Sequence, residues 1–119
     1  DVVDEQNRFI TGFITAGMKS CSEYLYSKSA QLPKVELVRP ESMLTVDTVS
    51  SLQAGIVGGK IGEAMEIVSA LKKELNIPHA KVVATGGLAK MVDNEGKIFD
   101  VCNPHLNLEG LRILYERNK

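Results

Sequence analysis

The chain has 119 residues, a formal net charge of −1, 44% hydrophobic residues and 24% charged residues, which is typical of one globular domain rather than a disordered segment. The near-zero charge argues against binding of nucleic acid or of an anionic membrane through a basic surface, and no apolar run approaches the roughly 20 residues of a membrane span. Cys21 and Cys102 stand in neither a CxxC motif nor the spacing of a metal site. We therefore expect two free thiols, no structural metal and a cytoplasmic protein.

The first 15 residues predict a β-hairpin. Residues 1–4 and 8–15 are rich in β-branched and aromatic side chains, and the polar residues 5–7 form the turn between them. Because the chain starts with aspartate inside a strand-like segment, we expect it to be the tail of a longer protein; processing of an initiator methionine is the competing explanation. Residues 18–32 then show apolar spacing typical of a helix, which Pro33 ends.

The middle of the chain predicts a short strand and a long helix. Residues 35–38 alternate apolar and polar side chains, as in a half-buried strand. Asp47 is a candidate N-cap for a helix that runs from Thr48 to about residue 75. The helix contains four glycines, each costing roughly 1 kcal/mol relative to alanine. The pairs 55/59 and 58/62 form small faces, so we expect another helix to pack there, within the chain or across a dimer interface.

The last 40 residues predict two strands and two helices. Residues 80–85 and 98–101 are strand-like, residues 88–92 form a short helix, and residues 93–96 form a turn. Residues 108–117 predict an amphipathic helix with five candidate core residues: Leu108, Leu111, Ile113, Leu114 and Tyr115. The alternation of strands and helices along the chain predicts an α/β domain with a mixed sheet.

The motif ATGGLA at residues 84–89 is the strongest local indication of a ligand site. Gly86 and Gly87 stand between a predicted strand and a predicted helix. Without Cβ atoms there, the backbone can approach a ligand closely, and the N–H groups of the next helical turn suit a phosphate or ribose. The alternative is a plain turn, since glycine pairs also form turns without any ligand.

Five motifs in chain order resemble those of the type III pantothenate kinases. Residues 12–17 (GFITAG) are similar to the hairpin end GG-x-I-x-PG, residues 30–37 (AQLPKVEL) to A-x-LP-x-[VI]-x-L, and residues 47–55 to NT-…-QSG. Residues 84–89 match ATGGLA, and residues 106–118 resemble the closing LTLEGL…YERN. The chain departs from these patterns at four positions: Thr11, Ala16, Thr45 and Val46, where the family tends to have Gly, Pro, Gly and Lys.

The resemblance implies a fold and an activity. The family belongs to the superfamily of acetate kinase, sugar kinases, Hsp70 and actin, whose members bind ATP between two ribonuclease-H-like lobes. Residues 1–119 would form the C-terminal lobe, a mixed sheet flanked by helices, with the N-terminal lobe absent. The family phosphorylates pantothenate to 4′-phosphopantothenate in coenzyme A biosynthesis. It uses ATP with magnesium and a monovalent cation, potassium or ammonium, and acts as a homodimer.

The resemblance also implies roles for individual residues. Thr48 would contact pantothenate, while Thr85, Gly86 and Gly87 would lie on the nucleotide side and Asp1 would be a ligand of the monovalent cation. A plain helix start is the alternative for Thr48, and a solvated terminus is the alternative for Asp1.

No catalytic residue is assigned, because the family's phosphate loops and catalytic aspartate would precede Asp1. The isolated chain is therefore expected to be inactive. The carboxylates at positions 93, 95, 100 and 109 are interpreted as turn, surface and capping groups, and His79 and His105 as loop residues. Two other hypotheses remain open: a non-catalytic regulatory or accessory relative of the same fold, and an unrelated small α/β domain.

Overall fold

A β-hairpin opens the chain in the computed structural model, which describes residues 1–119. Strand β1 (Val2–Val3) pairs antiparallel with β2 (Phe9–Thr11), and a bulge shifts the register between them. The Asp4 carboxylate accepts hydrogen bonds from the backbone N–H groups of Gln6 and Arg8, both at 2.9 Å. This turn confirms the predicted hairpin. It also explains why β1 is short, because Asp4 belongs to the turn and not to the strand.

Helix α1 (Met18–Lys28) follows, and it ends four residues earlier than predicted because Ser29 is extended. The predicted strand at residues 35–38 is wrong, since this segment is irregular and pairs with no strand. Its apolar alternation has another cause. Val35 and Leu37 pack, partly buried, against the core, and the Glu36 carbonyl accepts a hydrogen bond from the Gln53 side chain at 2.9 Å.

The predicted long helix is present and contains an unpredicted π-helical turn. It comprises α2 (Thr48–Gln53), a π segment (Ala54–Gly58) and α3 (Gly59–Glu74). Asp47 is the N-cap, as predicted, and its carboxylate accepts the Ser50 N–H at 2.8 Å. The π segment holds the centre of the core, because it contains Val57, which is completely buried.

The C-terminal part contains a second small sheet and two helices. Strand β3 (Val83–Ala84) pairs in parallel with β4 (Val101–Cys102), and the helices are α4 (Ala89–Val92) and α5 (Leu106–Arg117). The chain is therefore mixed α/β, as predicted, but the expectation of one mixed sheet is wrong. Two separate two-stranded sheets form because every strand is only two or three residues long and no central strand joins them.

The core is small for the length of the chain. Only seven of the 119 residues are buried, and four of them form the central cluster: Met18, Ile56, Val57 and Val92. The radius of gyration is 17.2 Å, whereas a compact domain of this length has about 13–14 Å. The chain therefore leaves much of its apolar surface exposed to solvent.

Helix α5 accounts for much of this exposed apolar surface. All of its residues are exposed, and its five predicted core side chains range from 43% exposure for Ile113 to 68% for Tyr115. Their assignment to the core is wrong for this chain by itself, because no other element of the chain covers them. The amphipathic pattern predicted the helix correctly, but it could not identify the surface that would bury it.

The glycine faces of the long helix are also largely uncovered. A Cβ at Gly55, Gly59 or Gly62 would meet no atom within 4 Å, whereas one at Gly58 would lie 2.9 Å from the Met43 side chain. Within the chain, therefore, the only side chain in close contact with these glycine positions is that of Met43, at Gly58. Packing against a second copy stays a prediction.

Candidate functional site

An open cavity surrounds the start of α2, where Thr48 was predicted to bind substrate. The cavity has a volume of about 500 Å³, and Thr48 is exposed on its wall. The Thr48 hydroxyl makes no hydrogen bond within the chain, while the nearby hydroxyls of Thr45 and Ser51 bond to each other at 2.9 Å. The other lining residues are Leu32, Val46, Asp47 and Leu52. Thr48 thus has a free donor and acceptor directed at a space large enough for a small ligand.

The electrostatics beside Thr48 differ from the simple expectation of free N–H groups at a helix start. The Asp47 carboxylate already accepts the Ser50 N–H at 2.8 Å and the Ser50 hydroxyl at 2.7 Å. These hydrogen bonds lower the pKa of Asp47, and the bond from the backbone N–H has the largest effect. The Asp47 carboxylate is therefore negatively charged at neutral pH. A ligand carboxylate placed here would meet this negative charge, while the Thr48 hydroxyl stays available as an uncharged donor and acceptor.

The Gly-Gly turn lies between β3 and α4, as predicted. Gly86 has φ of +97°, a conformation that favours glycine, and its carbonyl accepts the Ala89 N–H at 3.3 Å. Thr85, Gly86 and Gly87 are all exposed, and a Cβ at either glycine would point into open space. The turn is therefore accessible to a ligand, on an open surface and not in a closed cleft.

Helix α4 is anchored in the same core as the long helix. Val92 belongs to the buried cluster with Ile56 and Val57. The Arg39 guanidinium donates hydrogen bonds to the carbonyls of Met91 and Val92, at 3.3 and 3.1 Å, and so caps the end of α4. No local pattern in the sequence indicates this cap, because Arg39 is 52 residues from Met91 and stands before a proline in a segment interpreted as a strand end.

Asp1 lies at the base of the hairpin and is exposed. Its carboxylate is close to Gly12, where a Cβ would come within 2.5 Å of the Oδ1 atom. No group of three or more His, Cys, Asp or Glu side chains in the chain is placed to hold a metal ion. Asp1 therefore does not belong to a cluster of such side chains.

The remaining carboxylates have structural partners. Asp93 is buried and accepts the N–H groups of Lys97, Ile98 and Phe99, at 3.0, 2.6 and 2.7 Å. These hydrogen bonds lower the pKa of Asp93 to about 2, and the bond from the Phe99 N–H has the largest effect. Glu95 pairs with Lys97, Asp100 accepts the Val82 N–H at 2.7 Å, and Glu109 accepts the Asn103 amide at 3.1 Å. These contacts agree with the interpretation of the four as turn, surface and capping groups.

The histidines and cysteines singled out in the sequence lie outside the cavity at Thr48. His79 and His105 are exposed, and Cys21 and Cys102 are free thiols, as predicted. None of the helices has the length and apolar composition needed to cross a bilayer.

The structure is that of a mixed α/β protein in which the cavity at Thr48 and the turn at Gly86 and Gly87 are both accessible to small ligands. The family model described as type III pantothenate kinase matches residues 1–70, which is more than half of the chain. The chain therefore belongs to the type III pantothenate kinase family, whose members are kinases of coenzyme A biosynthesis. The matched range includes Asp1 and Thr48, whereas the Gly-Gly turn and α5 lie outside it.

Proposed function

We propose that this chain is the C-terminal lobe of an ATP-dependent kinase that phosphorylates pantothenate to 4′-phosphopantothenate. The observation that carries the proposal is the family match over residues 1–70. The ATGGLA motif and the closing LEGL…YERN segment, outside the matched range, add independent sequence support. Phosphoryl transfer depends on positioning and charge stabilisation more than on covalent chemistry, so a lobe that only binds and orients is a plausible half of such an enzyme.

The exposed apolar surface supports a missing partner lobe. Six large apolar side chains of α5 are exposed, at positions 106, 108, 111, 113, 114 and 115, while Arg112 and Glu116 pair with each other at 2.8 Å. A helix that is apolar over so much of its surface is normally buried on more than one side. The proposed occupant is the N-terminal lobe of the same polypeptide, with a second copy of the protein covering further surface in a cytoplasmic homodimer.

The proposed roles of the site residues follow their environments. The free Thr48 hydroxyl would bind pantothenate, and the exposed turn of Thr85, Gly86 and Gly87 would contact ATP, which brings its own magnesium ion. Asp1 would contribute one ligand to a potassium or ammonium ion, the others coming from outside this chain. The general base would also lie outside this chain, so the isolated chain is inactive in this proposal.

Pantothenate-dependent ATP consumption by the full-length protein, with and without potassium, tests the proposal. We expect turnover that requires both, and a rise in the KM for pantothenate on Thr48→Ala. Loss of one ligand hydrogen bond costs about 0.5–1.5 kcal/mol, or roughly 2- to 12-fold in affinity. Ser69→Ala is the matched control, because Ser69 is exposed on α3, away from the cavity, and its hydroxyl makes no hydrogen bond.

Each result has a defined meaning. No turnover, with pantothenate or ATP still bound, would favour the non-catalytic relative of the same fold. Turnover that is insensitive to Thr48→Ala would leave the kinase intact and remove the role of this hydroxyl. Absence of both turnover and binding would contradict the proposal and favour an unrelated activity.

A further inference from the structure

The segment that links the hairpin to α1 has few backbone restraints of its own. Residues 12–17 belong to no helix or strand. Among the backbone–backbone hydrogen bonds outside the helices and strands, none involves residues 12–16. Side-chain contacts must therefore hold this segment in place against the rest of the molecule.

Lys60, in the first turn of α3, provides those contacts. Its ammonium group donates to the Ala16 carbonyl at 2.6 Å, to the Thr15 hydroxyl at 3.1 Å and to the Glu63 carboxylate at 2.7 Å. The Thr15 hydroxyl in turn donates to Glu63 at 2.7 Å, so the three side chains and one carbonyl form a closed network. All three donors of the ammonium are used, and the Lys60 side chain is only 17% exposed.

The charges in this network are matched. The hydrogen bond from Lys60, followed by that from Thr15, lowers the pKa of Glu63, so the carboxylate stays ionised opposite the ammonium. Charge-assisted hydrogen bonds of this kind are shorter and stronger than neutral ones. The Lys60–Glu63 pair is a local helix contact, but the bonds of this pair to Thr15 and Ala16 join residues 44–48 positions apart and are therefore a tertiary restraint.

The network also forms one end of a cavity beside the candidate substrate site. This second cavity, of about 460 Å³, lies between α1 and the long helix, and Ala16, Cys21 and Lys60 are among its lining residues. Ser51 and Leu52 line both this cavity and the one at Thr48. The position of Ala16 therefore shapes a cavity that shares Ser51 and Leu52 with the cavity at Thr48.

We propose that Lys60 is a positioning residue, which holds the end of the hairpin on α3 and so fixes the Ala16 side of the cavity that Ser51 and Leu52 also line. The expected effect of Lys60 on pantothenate binding rests on the proposed function, whereas its role in fixing residues 15 and 16 does not. Lys60 contacts no reacting group in this scheme. Its removal frees residues 12–16 without removing any element of the core.

The reactivity of Cys21 reports the position of this segment without any need for activity. Its Sγ lies 4.0 Å from the Ala16 carbonyl that Lys60 binds, and it lines the same cavity. In the full-length protein, Lys60→Ala should increase the rate of Cys21 modification by a small maleimide roughly tenfold, which corresponds to loss of about one charged hydrogen bond. Cys102, in β4, is the internal reference and should keep its rate, as measured by site-resolved mass spectrometry.

Three further variants make this test specific. Lys60→Arg keeps a donor that can reach the Ala16 carbonyl, so it should stay close to the wild-type rate. Lys73→Ala removes an exposed lysine from the same helix and should change nothing. Thr15→Val removes only one hydroxyl and should increase the Cys21 modification rate less than Lys60→Ala does. This variant can be used for the same test if Lys60→Ala folds poorly.

Steady-state kinetics then test whether the position of this segment affects pantothenate binding. Lys60→Ala should raise the KM for pantothenate while changing kcat little, and Lys60→Arg should restore the KM. An unchanged Cys21 rate in Lys60→Ala, or an equal rise at Cys21 and Cys102, would overturn the positioning role. If the wild-type protein shows no pantothenate-dependent turnover, the proposed function fails, and the thiol measurement still decides the role of Lys60.

Discussion

Alanine at Gly86 and at Gly87 separates backbone strain from ligand contact in the turn between β3 and α4. The two glycines are adjacent and exposed, and a Cβ at either would enter open space. They differ in one respect, because Gly86 has φ of +97° and Gly87 lies outside the positive-φ region. Each variant is therefore the matched control for the other.

The expected difference in the free energy of unfolding follows from this geometry. Both substitutions reduce the entropy of the unfolded chain to the same extent, which by itself stabilises by about 0.4–1 kcal/mol. Only Gly86→Ala places a Cβ at positive φ, which costs roughly 1–2 kcal/mol. The Gly86→Ala variant should therefore be less stable than Gly87→Ala by about 1–2 kcal/mol, a 5- to 30-fold difference in the ratio of folded to unfolded protein.

Two measurements on the full-length protein check this reasoning. Urea unfolding midpoints compare the stabilities, and titration with ATP compares the affinities. If ATP lies against this turn, Gly87→Ala should weaken ATP binding by roughly tenfold or more without loss of stability, because the new methyl group must be accommodated. Equal midpoints for the two variants would refute the strain argument, and unchanged ATP affinity in Gly87→Ala would refute the proposed nucleotide contact.

Five other substitutions, one of them a control, test the packing and charge of the fold. Asp47→Ala removes the N-cap and should lower the free energy of unfolding by about 1 kcal/mol in urea titrations; an unchanged midpoint would contradict the capping role. Val57→Ala should cost about 2–3 kcal/mol, since this side chain is fully buried, whereas Val49→Ala, at a site 45% exposed, should change the midpoint far less. The folded-state pKa of Asp93, about 2, lies below its ordinary 3.8, so its contribution to stability is complete above about pH 4 and declines as the pH falls towards 2. Asp93→Asn should lower the free energy of unfolding at pH 7 and make it less dependent on pH between about 4 and 2. A pH profile identical to that of the wild-type protein would contradict this role of Asp93. Leu111→Asp should lower the melting temperature of the full-length protein if the other lobe covers α5, and equal melting temperatures would argue against that interface.

Local signals in the sequence predicted the elements that depend on neighbouring residues. The aspartate at position 47 predicted the start of the long helix, because an N-cap is a contact between residues three apart. The hairpin, α4 and α5 also lie close to their predicted positions, with ends that differ by a few residues. The family motifs predicted membership correctly for the same reason, since each is a short contiguous pattern.

Contacts between distant residues were beyond those signals. The segment at 35–38 has the alternation of a strand, yet it packs on the core without a partner strand. The network of Lys60, Glu63 and Thr15 joins residues whose sequence separation gives no pattern, and Arg39 caps a helix 52 residues away. Only the tertiary structure brings these groups within hydrogen-bonding distance.

The sequence by itself determined the opening hairpin, most of the helices, the N-cap, the glycine turn and the family, because these depend on local propensity and contiguous motifs. The tertiary structure decided that the sheets stay separate, that a π-helical turn carries the buried Val57, and that α5 is left without cover. The physical reason is that an apolar pattern requires burial without specifying the burying surface. For α5, no element within residues 1–119 supplies that surface.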